Sequence, residues 1–540
     1  ESIGYCLDHA GITLSDVDVV AINQDSKANL GRKLGFTLKK RPELKYVLDK
    51  VRTRRERESL ASQLDRLFPG TPFSGKNIAV EHHRAHLSSA FHVSPYENAV
   101  VVSVDGFGDF ASGAWGVGQG TSIEIDGRVY FPHSLGSFYQ AMTQFLGFPH
   151  YGDEYKVMGL APYGKPTYLG EMREIVGLQK NGGYQLNLGY FKHHRENVMY
   201  EWDNGAPVFG QMFSEKLATL LGPERLKGEE LQQRHFDIAH SVQAMYEEAF
   251  FHLLNVLHKK YGIDNLALSG GCAMNSVANG KVCRNTPFKN VYIQSAAGDA
   301  GGAIGAAFSA WHDMNPDVGR QFVMSHAYLG PEYSNDEVST TLDNAKSKLL
   351  DEQIDVTFYK SESELYAKTA DAIADGKVIG WFQGRLEWGP RALGNRSILC
   401  DPRRADMKDI LNLKIKRRES FRPFAPSILR EAVSDWFEED ADVPFMMKVF
   451  QIKESRRAQI PAVTHVDGSG RLQTVFEQTN PRYYRLIKAF SDLTGVPMLL
   501  NTSFNENEPV VCTPSEALAC FLRTKMDLLV MGDWYLERST

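Results

Sequence analysis

Two histidines and an aspartate lie close together in the first quarter of this 540-residue chain, in the segments VEHHRAH and VVVSVDGFG. His82 and His86 are four residues apart in a segment typical of a helix, so both imidazoles project from one face, a single turn apart. The apolar run 99–104 predicts a buried strand that ends at Asp105, followed by a flexible turn at 106–108. Two imidazoles with one or two carboxylates suit a divalent ion such as iron(II), manganese or zinc, and leave positions open for a substrate oxygen.

Asp299 provides a fourth candidate ligand for the same ion. It lies in the segment GDAGGAIGAA, at a glycine-rich helix start that follows a predicted strand over residues 291–294. Helix N-cap is the alternative role, because Asp is favoured at that position. The HxxxH pattern alone is also found on ordinary helix surfaces, so the metal hypothesis depends on the two aspartates joining His82 and His86.

A glycine-rich turn after a further predicted strand indicates nucleotide binding. Residues 266–268 form that strand, and the segment SGGCAMNSVANG follows it. Gly270 and Gly271 allow a phosphate or ribose to approach the backbone closely, and Asn275 lies on the helix that comes next. A glycine pair after a strand is common in proteins, so this signal carries little weight by itself.

Another segment, GLAPYGKP, nearly spells a phosphate-binding P-loop, but Pro166 replaces the Ser or Thr that must reach a magnesium ion. Proline also has no backbone N–H to donate to a phosphate, so a Walker site is rejected. Strand, glycine-rich turn and helix nevertheless recur through residues 1–330. That recurrence indicates an α/β fold of the actin, Hsp70 and sugar-kinase (ASKHA) type with two lobes.

The composition becomes that of a linker around residues 328–335, which places a domain boundary after residue 330. Residues 331–540 carry arginines beside glycine, proline and aromatic residues in stretches such as GRLEWGPRALGNRSIL and RESFRPFAPS. Guanidinium binds phosphate oxygens bidentately and keeps its charge, so these stretches predict an anion site, with structural ion pairs as the alternative. The candidate residues are Arg385, Arg391, Arg396, Lys416, Arg422, Arg471, Asn501 and Ser503.

The overall composition excludes several classes of protein. A formal net charge of −6 argues against general nucleic-acid binding, and no apolar run has the length of a membrane span. The six cysteines form no CxxC pair or disulfide-scaffold spacing, so a reducing cytoplasm is the simplest location.

Three further elements are predicted from local signals. Residues 112–128 are expected to form a hairpin with Asp126-Gly127 at its turn. The next helix is expected to have Ser137 as its N-cap and to end at Gly147. A long helix is predicted from about Leu231 to Tyr261, where a glycine follows.

The motifs EHHRAH, VVVSVDGFGD, DEYKVMGLAPYG, LSGGCAMN, GDAGGAIGAA, GRLEWGPRALGNRSIL, RESFRPFAPS, HVDGSGRLQTV and NTSFNENEPV occur in this order over nearly the whole chain. Together they resemble the O-carbamoyltransferases of the nodulation-protein U and cephalosporin-carbamoylating type. That resemblance implies an ASKHA domain, similar to the enzyme that transfers threonylcarbamoyl to tRNA, followed by a YrdC-like α/β domain over residues 331–540.

The resemblance also implies roles for individual residues. His82, His86, Asp105 and Asp299 would hold iron(II), with manganese, magnesium or zinc as alternatives, and the Gly270-Gly271 loop with Asn275 would line a nucleotide pocket. Residues of the second domain would bind carbamoyl phosphate and ATP: Arg391, Lys416, Arg422, Arg471, Asn501 and Ser503. The family begins with a strand and phosphate loop that carry a candidate catalytic histidine, and this chain is expected to begin beyond them.

The reaction implied is the activation of carbamoyl phosphate as carbamoyl adenylate in the second domain. Transfer of the carbamoyl group to a hydroxyl of a sugar or secondary metabolite would follow in the first domain. Two alternatives stay open at this point. One is a carbamoyltransferase of the hydrogenase-maturation type, against which the absence of CxxC pairs counts. The other is a non-catalytic, ATP-binding regulatory protein of the ASKHA superfamily.

Overall fold

The computed structural model describes residues 1–40, 60–196, 198, 201–203, 206–416, 421, 424–506 and 508–539. Two units divide the chain: Glu1–Met274 with Val282–Val323, and Asn275–Lys281 with Met324–Thr540. Both units contain helices and strands, which confirms the predicted mixed α/β class. The sequence places a domain boundary after residue 330, and the division of the structure falls after Val323.

The first unit is built on a five-stranded sheet in the order β11-β10-β3-β4-β5, with a separate parallel pair, β1-β2. Its strands are β1 Val19–Ile22, β2 Lys76–Ala79, β3 Asn98–Gly108, β4 Ala111–Gln119, β5 Ser122–Tyr130, β6 Val176–Leu178, β7 Tyr184–Leu186, β8 Glu201–Asp203, β9 Ala206–Val208, β10 Asn265–Ser269 and β11 Asn290–Ile293. β10 runs parallel to both β3 and β11, so the carboxyl ends of these three strands meet at one edge of the sheet.

Helices cover this sheet and position its edge. They are α1 Ser2–Ala10, α2 Leu30–Lys40, α3 Leu60–Leu67, α4 His82–Phe91, α5 Leu135–Phe145, α6 Glu154–Leu160, α7 Leu169–Ile175, α8 Glu215–Leu221, α9 Gln233–Tyr261, α10 Ser276–Asn285, whose first residues belong to the second unit, and α11 Gly301–Met314. α4 buries Leu87 and Phe91 against the sheet. A Cβ on Gly305 of α11 would stand 1.8 Å from the carbonyl oxygen of Ala85, so this glycine allows α11 to pack closely on α4.

Several local predictions for this unit are confirmed. β10 and β11 lie where short strands were predicted, and α4 carries both histidines. The long helix α9 ends at Tyr261, and Gly262 caps it in the left-handed conformation, φ 65°. The segment that resembles a P-loop continues the helix α6 into a short 3-10 turn, which agrees with the rejection of a Walker site.

The predicted hairpin exists, but its turn was wrong. The strands β4 and β5 are joined at Gly120-Thr121, and Asp126-Gly127 lie inside β5. Trp115 pairs with Gly127 and Gly116 pairs with Ile125, so Asp126 is the extra residue of a β-bulge. A Cβ on Gly127 would stand 2.3 Å from the Trp115 indole, so this glycine serves ring packing in a strand, and its dipeptide mimics a turn signal.

Two other boundaries also differ from the predictions. β3 continues through Gly108, and the turn after it is formed by Asp109 and Phe110, which have positive φ angles of 48° and 72°. The N-cap of α5 is Ser134, whose hydroxyl accepts a hydrogen bond from the backbone N–H of Ser137. The predicted cap, Ser137, is therefore the residue that is capped, one turn further into the helix.

The second unit contains a nine-stranded sheet in the order β12-β20-β19-β13-β14-β18-β15-β17-β16. Its strands are β12 Ile354–Phe358, β13 Ile379–Phe382, β14 Arg396–Cys400, β15 Ala425–Leu429, β16 Lys448–Gln451, β17 Ser469–Val475, β18 Met498–Ser503, β19 Leu528–Met531 and β20 Trp534–Arg538. Its helices are α12 Asn335–Asn344, α13 Lys346–Asp351, α14 Glu362–Ala374, α15 Met407–Leu411, α16 Val433–Trp436, α17 Glu454–Arg457, α18 Pro481–Thr494 and α19 Pro514–Arg523. One extensive apolar core joins the helices and the sheet.

Among the helices of the described residues, none combines the length and apolarity that a membrane crossing requires.

His92, the C-cap residue of α4, ties this helix to the β4–β5 turn: its Nδ1 lies 2.7 Å from the Ser88 hydroxyl and its Nε2 lies 3.0 Å from the Thr121 carbonyl. Burial lowers the pKa of His92 to about 4, although the Thr121 carbonyl opposes that shift. His312, Arg320 and Arg84 lower this pKa further. His92 is therefore neutral in the folded protein at neutral pH, with Nε2–H as the donor to Thr121.

We expect the free energy of unfolding to fall as the pH is lowered from 6.5 toward 4. In this range His92 binds a proton in the unfolded chain but stays neutral in the folded protein. In that window the free energy of unfolding changes by about 1.4 kcal/mol per pH unit because of His92. Above pH 6.5 the stabilisation that neutral His92 provides is complete. Urea unfolding of the His92→Gln variant should give a shallower pH dependence, by up to one proton. His9 is exposed, so His9→Gln is the matched control. An equal change in the pH dependence of unfolding in both variants would contradict the assignment to His92.

Candidate functional site

Four side chains of the first unit converge at the sheet edge: His82, His86, Asp105 and Asp299. One ligand atom from each lies within 4.8 Å of all the others. The two Nε2 atoms are 3.0 Å apart, and Asp105 Oδ2 lies 3.0 Å from His82 Nε2 and 3.4 Å from His86 Nε2. Asp299 Oδ1 lies 3.4 Å from His86 Nε2 and 3.7 Å from His82 Nε2. We call these four residues the tetrad.

The helix α4 and the strand β3 carry three of the four tetrad residues. Glu81 caps the N-terminus of α4 through the backbone N–H of Arg84, and the helix then presents both imidazoles on one face. β3 delivers Asp105 beside the end of β10, where the backbone N–H of Gly271 donates to Asp105 Oδ1 at 2.8 Å. That hydrogen bond orients the carboxylate so that its other oxygen faces the imidazoles.

Close backbone approach is needed at two points around the tetrad. A Cβ on Gly108 would stand 2.0 Å from the imidazole of His82, so only glycine leaves room for that ring. Gly270, with φ +88°, places its Cα where a Cβ would stand 2.3 Å from the Val104 carbonyl oxygen. Asp109 fixes the other side of His82, because its carboxylate accepts from the His82 backbone N–H at 2.9 Å.

Charge within the tetrad shifts the pKa values strongly. Burial lowers the pKa of His86, but hydrogen bonds and charge attraction from Asp105 and Asp299 outweigh burial and raise that pKa to about 9. Burial raises the pKa of Asp105, but its hydrogen bonds to His82 and His86 outweigh that effect and hold the pKa well below the usual range. The tetrad therefore requires positive charge, which either protons or a cation can supply.

The donor set and spacing fit a divalent ion. A tetrahedral ion with bonds of about 2.1 Å holds its ligand atoms about 3.4 Å apart, and an octahedral ion holds adjacent ligands about 3.0 Å apart. Four of the five ligand-atom distances given above, 3.0 to 3.4 Å, lie in this range, and the fifth, 3.7 Å between Asp299 and His82, is slightly longer. Two nitrogen and two oxygen donors suit iron(II), manganese or zinc. The side chain of His86 is 1% exposed and that of Asp299 is 64% exposed, so solvent reaches the tetrad on the side of Asp299.

Asp299 is not the N-cap of the helix that follows it. α11 begins at Gly301, Ala300 is its N-cap residue, and that end of the helix has no side-chain cap. The backbone carbonyl of Asp299 accepts from Gly302 N–H at 2.9 Å and from the Asn23 amide at 3.4 Å, which leaves its carboxylate directed to the imidazoles. The alternative weighed for Asp299 is therefore wrong.

The predicted nucleotide residues fall in different units. Gly270 and Gly271 follow β10 in the first unit, and Asn275 belongs to the second unit, where its side-chain oxygen accepts from the backbone N–H of Ala278. Gly271 has a defined role in the tetrad, through Asp105. Nucleotide binding by these three residues stays a prediction.

In the second unit the structure brings Lys416 and Ser503 together. The buried Lys416 ammonium donates to the Ser503 carbonyl at 2.6 Å and to the carbonyl and side-chain oxygens of Asn505, both at 2.7 Å. Asn501, two residues before Ser503 on β18, donates through its amide to the Ala392 carbonyl, the Ser427 hydroxyl and Gln473. These contacts link the central strands to the loop that follows Arg391.

Two of the predicted arginines, Arg385 and Arg396, donate hydrogen bonds to backbone carbonyl groups. Arg385 donates to the carbonyls of Leu329 and Gly330, and the fully buried Arg396 donates to Gln383 and stacks on Phe382. Arg396 acts as a structural clamp, which is a correction to the expectation that it marks an anion site. For the half-buried Arg385 that expectation stays a prediction. Arg391 and Arg471 are half-buried, in the 391–395 loop and on β17. Arg422 lies outside the described residues.

Sequence reasoning missed several residues that shape these sites. Glu387 accepts hydrogen bonds from the backbone N–H groups of Leu393, Asn395 and Arg396, and so fixes the loop that carries Arg391. Gly108 and Asp109 fix the position of His82. The glutamate directly before WGPRALGN and the aspartate after GFG were visible as residues, but their partners lie beyond the next few positions, so no turn or helix pattern identifies these contacts.

Comparison with known proteins gives matches over most of the chain. The family model described as Carbamoyltransferase N-terminus matches residues 1–308, and the one described as Carbamoyltransferase C-terminus matches residues 370–538. An uncharacterized protein of Synechocystis sp. is 40% identical, with 100% of this chain and 90% of the relative covered. Nodulation protein NolNO of Sinorhizobium fredii is 38% identical, with 100% and 74% covered.

A relative with a named reaction matches half of the chain. 3'-hydroxymethylcephem-O-carbamoyltransferase of Amycolatopsis lactamdurans is 36% identical, with 50% of this chain and 48% of the relative covered. Among solved structures, T. kodakarensis HypF is 17% identical, with 48% of this chain and 39% of that chain covered and a TM-score of 0.25. Structural similarity at that level supports no conclusion about the fold.

The close fit of Gly108 against His82 gives a test that removes no donor atom. In Gly108→Ala the new methyl group overlaps the His82 imidazole, so we expect the affinity for Mn²⁺ to fall by 10-fold or more. Gly106→Ala is the matched control, because no described atom lies within 4 Å of a Cβ built there. Isothermal titration of metal-free protein measures both affinities, and equal affinities in the two variants would show that His82 is not a ligand.

Proposed function

Because the chain belongs to the carbamoyltransferase family, we propose that it is an ATP-dependent O-carbamoyltransferase that acts on a hydroxyl of a sugar or secondary metabolite. Family membership makes it a transferase enzyme. The observation that carries the specific proposal is the tetrad, in which two imidazoles and two carboxylates converge within 4.8 Å. A purely regulatory ATP-binding protein has no need of such a set of donors.

In this proposal the second unit activates carbamoyl phosphate. Water takes the phosphoryl group of carbamoyl phosphate as the bond between phosphorus and the carbamoyl oxygen breaks, which releases phosphate and leaves carbamate. A carbamate oxygen then bonds to the α-phosphorus of ATP as pyrophosphate leaves, which gives carbamoyl adenylate. The reactants bring several negative charges together, so fixed positive charge must offset them. Arg391, Arg422, Arg471 and Lys416 are assigned to that task, Arg422 on its sequence motif alone. Asn501 and Ser503 are assigned to binding carbamoyl phosphate and ATP.

The geometry of the second unit supports these assignments through preorganisation. Glu387 holds the loop of Arg391 by three backbone hydrogen bonds, and the Asn501 amide binds the carbonyl of the next residue, Ala392. Lys416 is buried and fixed by carbonyl and amide oxygens around Ser503 and Asn505. Groups that are held before the substrate arrives need little rearrangement when charge develops.

In the first unit the tetrad would hold the divalent ion, and Gly270 and Gly271 would contact nucleotide. Asn275, which belongs to the second unit, is also assigned to nucleotide binding. When bound, the ion supplies Lewis-acid polarisation of the carbamoyl carbonyl. The acceptor oxygen then bonds to the carbonyl carbon, the bond to AMP breaks, and the acceptor proton passes to a general base. His82 and His86 would be the nitrogen ligands of the ion, and Asp105 and Asp299 would bind it through oxygen and offset its charge.

We assign the finer fold classes on the same basis. The first unit is proposed to be an ASKHA domain, with support from the parallel β3, β10 and β11, whose carboxyl ends carry Asp105 and the Gly270-Gly271 turn. The second is proposed to be a YrdC-like domain. All six cysteines are free thiols in the described chain, which supports a reducing location such as the cytoplasm.

The two half-reactions can be tested separately. Arg471→Ala should lower pyrophosphate release from ATP and carbamoyl phosphate by 100-fold or more, because one offsetting charge is lost where negative charge develops. His86→Ala should retain that release and lose carbamate transfer to the acceptor. The exposed substitution Arg485→Ala is the control for the first variant. If both variants block the same half-reaction, the division of labour between the units is wrong.

A further inference from the structure

An aromatic cavity of about 400 Å³ lies in the first unit, beside the segment that follows Asp105. Four rings line it, those of Phe36, Phe110, Tyr130 and Phe131, and the exposed Arg32 stands at its edge over the Tyr130 ring, 4.7 Å from the centroid. The Phe36 and Phe131 rings are 5.1 Å apart and nearly perpendicular, and Phe110 and Phe131 are 5.3 Å apart. A cavity of this size suits a small organic molecule. We call it the aromatic cavity.

One wall of the cavity is formed by two glycines inside the helix α2, Gly31 and Gly35. Glycine inside a helix is less stable than alanine by about 1 kcal/mol. Packing within the described residues does not require these glycines, because no heavy atom lies within 4 Å of a Cβ built at either position. The glycines keep side chains out of the cavity, which is what a bound molecule would need.

Two chain segments join the cavity to the tetrad. One runs from Asp105 to Phe110, five residues that span at most about 17 Å. The other runs from Asn23, whose amide donates to the Asp299 carbonyl, to Arg32. Asp109 ties the two segments together, because its carboxylate accepts from the backbone N–H groups of Asp25 and His82.

Asp109 and Phe110 also carry backbone strain at this junction. Both have positive φ angles, 48° and 72°, which residues other than glycine rarely adopt. The Asn29 amide donates to the Asp109 carbonyl at 2.8 Å and helps to hold the turn. The turn directs the Phe110 ring against Phe36 and Phe131, so one of the two strained residues forms part of the cavity wall.

We infer that the aromatic cavity binds the hydroxyl acceptor, and that this acceptor carries a flat ring and an anionic substituent. The ring would stack on Phe36, Phe110 and Phe131, and the anion would pair with Arg32. Phe110 in the cavity wall is two residues from Gly108, which packs against the His82 imidazole, and Asp109 between them binds the His82 backbone N–H, so the cavity lies on the His82 side of the tetrad. This assignment of acceptor class rests on the proposed function.

The probe for the experiment is 4-(hydroxymethyl)benzoate, which combines an aromatic ring, a carboxylate and a primary hydroxyl. Isothermal titration should show saturable binding to the full chain. 4-(Hydroxymethyl)benzamide, of the same shape but neutral, should bind more weakly, and Arg32→Gln should abolish that difference. 6-Hydroxyhexanoate, which keeps the carboxylate and hydroxyl without a ring, should bind at least 10-fold more weakly than the probe.

Three substitutions on α2 locate the binding. Phe36→Ala removes a ring and Gly35→Leu fills the cavity, and each should weaken probe binding by 10-fold or more. Leu34→Ala is the matched control, because Leu34 is 63% exposed on the same helix, and it should change the affinity by less than 2-fold. Circular dichroism checks that each variant is folded, and the Gly35→Leu result stands if Phe36→Ala does not fold.

The inference would be overturned if the probe showed no saturable binding, or if Gly35→Leu and Leu34→Ala had equal affinity for it. Equal affinity for 6-hydroxyhexanoate and for the probe would show that the cavity does not recognise a ring, and would overturn the inference as well. Pyrophosphate release from ATP and carbamoyl phosphate by the unmodified chain, without an acceptor, tests the proposed function by itself. Release without probe binding refutes the acceptor site alone, and probe binding without release supports the site and refutes the proposed reaction.

Discussion

Mutual repulsion among four electron-pair donors is the constraint on which the first unit depends. Two imidazole nitrogens 3.0 Å apart and two carboxylates within 4.8 Å cannot remain together without positive charge between them. The high pKa of His86 and the low pKa of Asp105 show that protons can supply this charge. A divalent ion would supply it with better geometry, since it meets all four donors at once.

Much of the tetrad could be predicted because its parts are local. The spacing of His82 and His86 needs only a helix, and Asp105 needs only a buried strand before it, so periodicity identifies all three. Asp299 was visible as a residue before a glycine-rich helix, but its role depends on α11 packing against α4 at Gly305, which no local pattern contains. Long-range packing therefore rules out the N-cap role and brings the Asp299 carboxylate to the other three candidate ligands.

The structural roles of glycines were the hardest to predict from this sequence, because glycine serves several physical purposes. Asp126-Gly127 has the composition of a hairpin turn, yet Gly127 lies under the Trp115 ring inside a strand. Gly108 was taken as part of a flexible turn, yet it lies at the end of a strand and makes room for the His82 imidazole. In both places a partner ring from a distant part of the sequence determines the residue.

The role of Arg396 was predicted wrongly for a related reason. Loops rich in glycine and proline have many carbonyl groups without strand or helix partners, and a guanidinium with five donors can satisfy several of them at once. Arg396 does so with Gln383, Gly384 and Asn395, so its burial reflects loop structure. Anion binding in the second unit is better sought beside such clamps, at the half-buried Arg391 and Arg471, which the clamped loop and β17 hold in place. Strained or close-packed backbone is concentrated near the tetrad, at Asp109, Phe110 and Gly108, and such features persist only where the surrounding structure compensates for them.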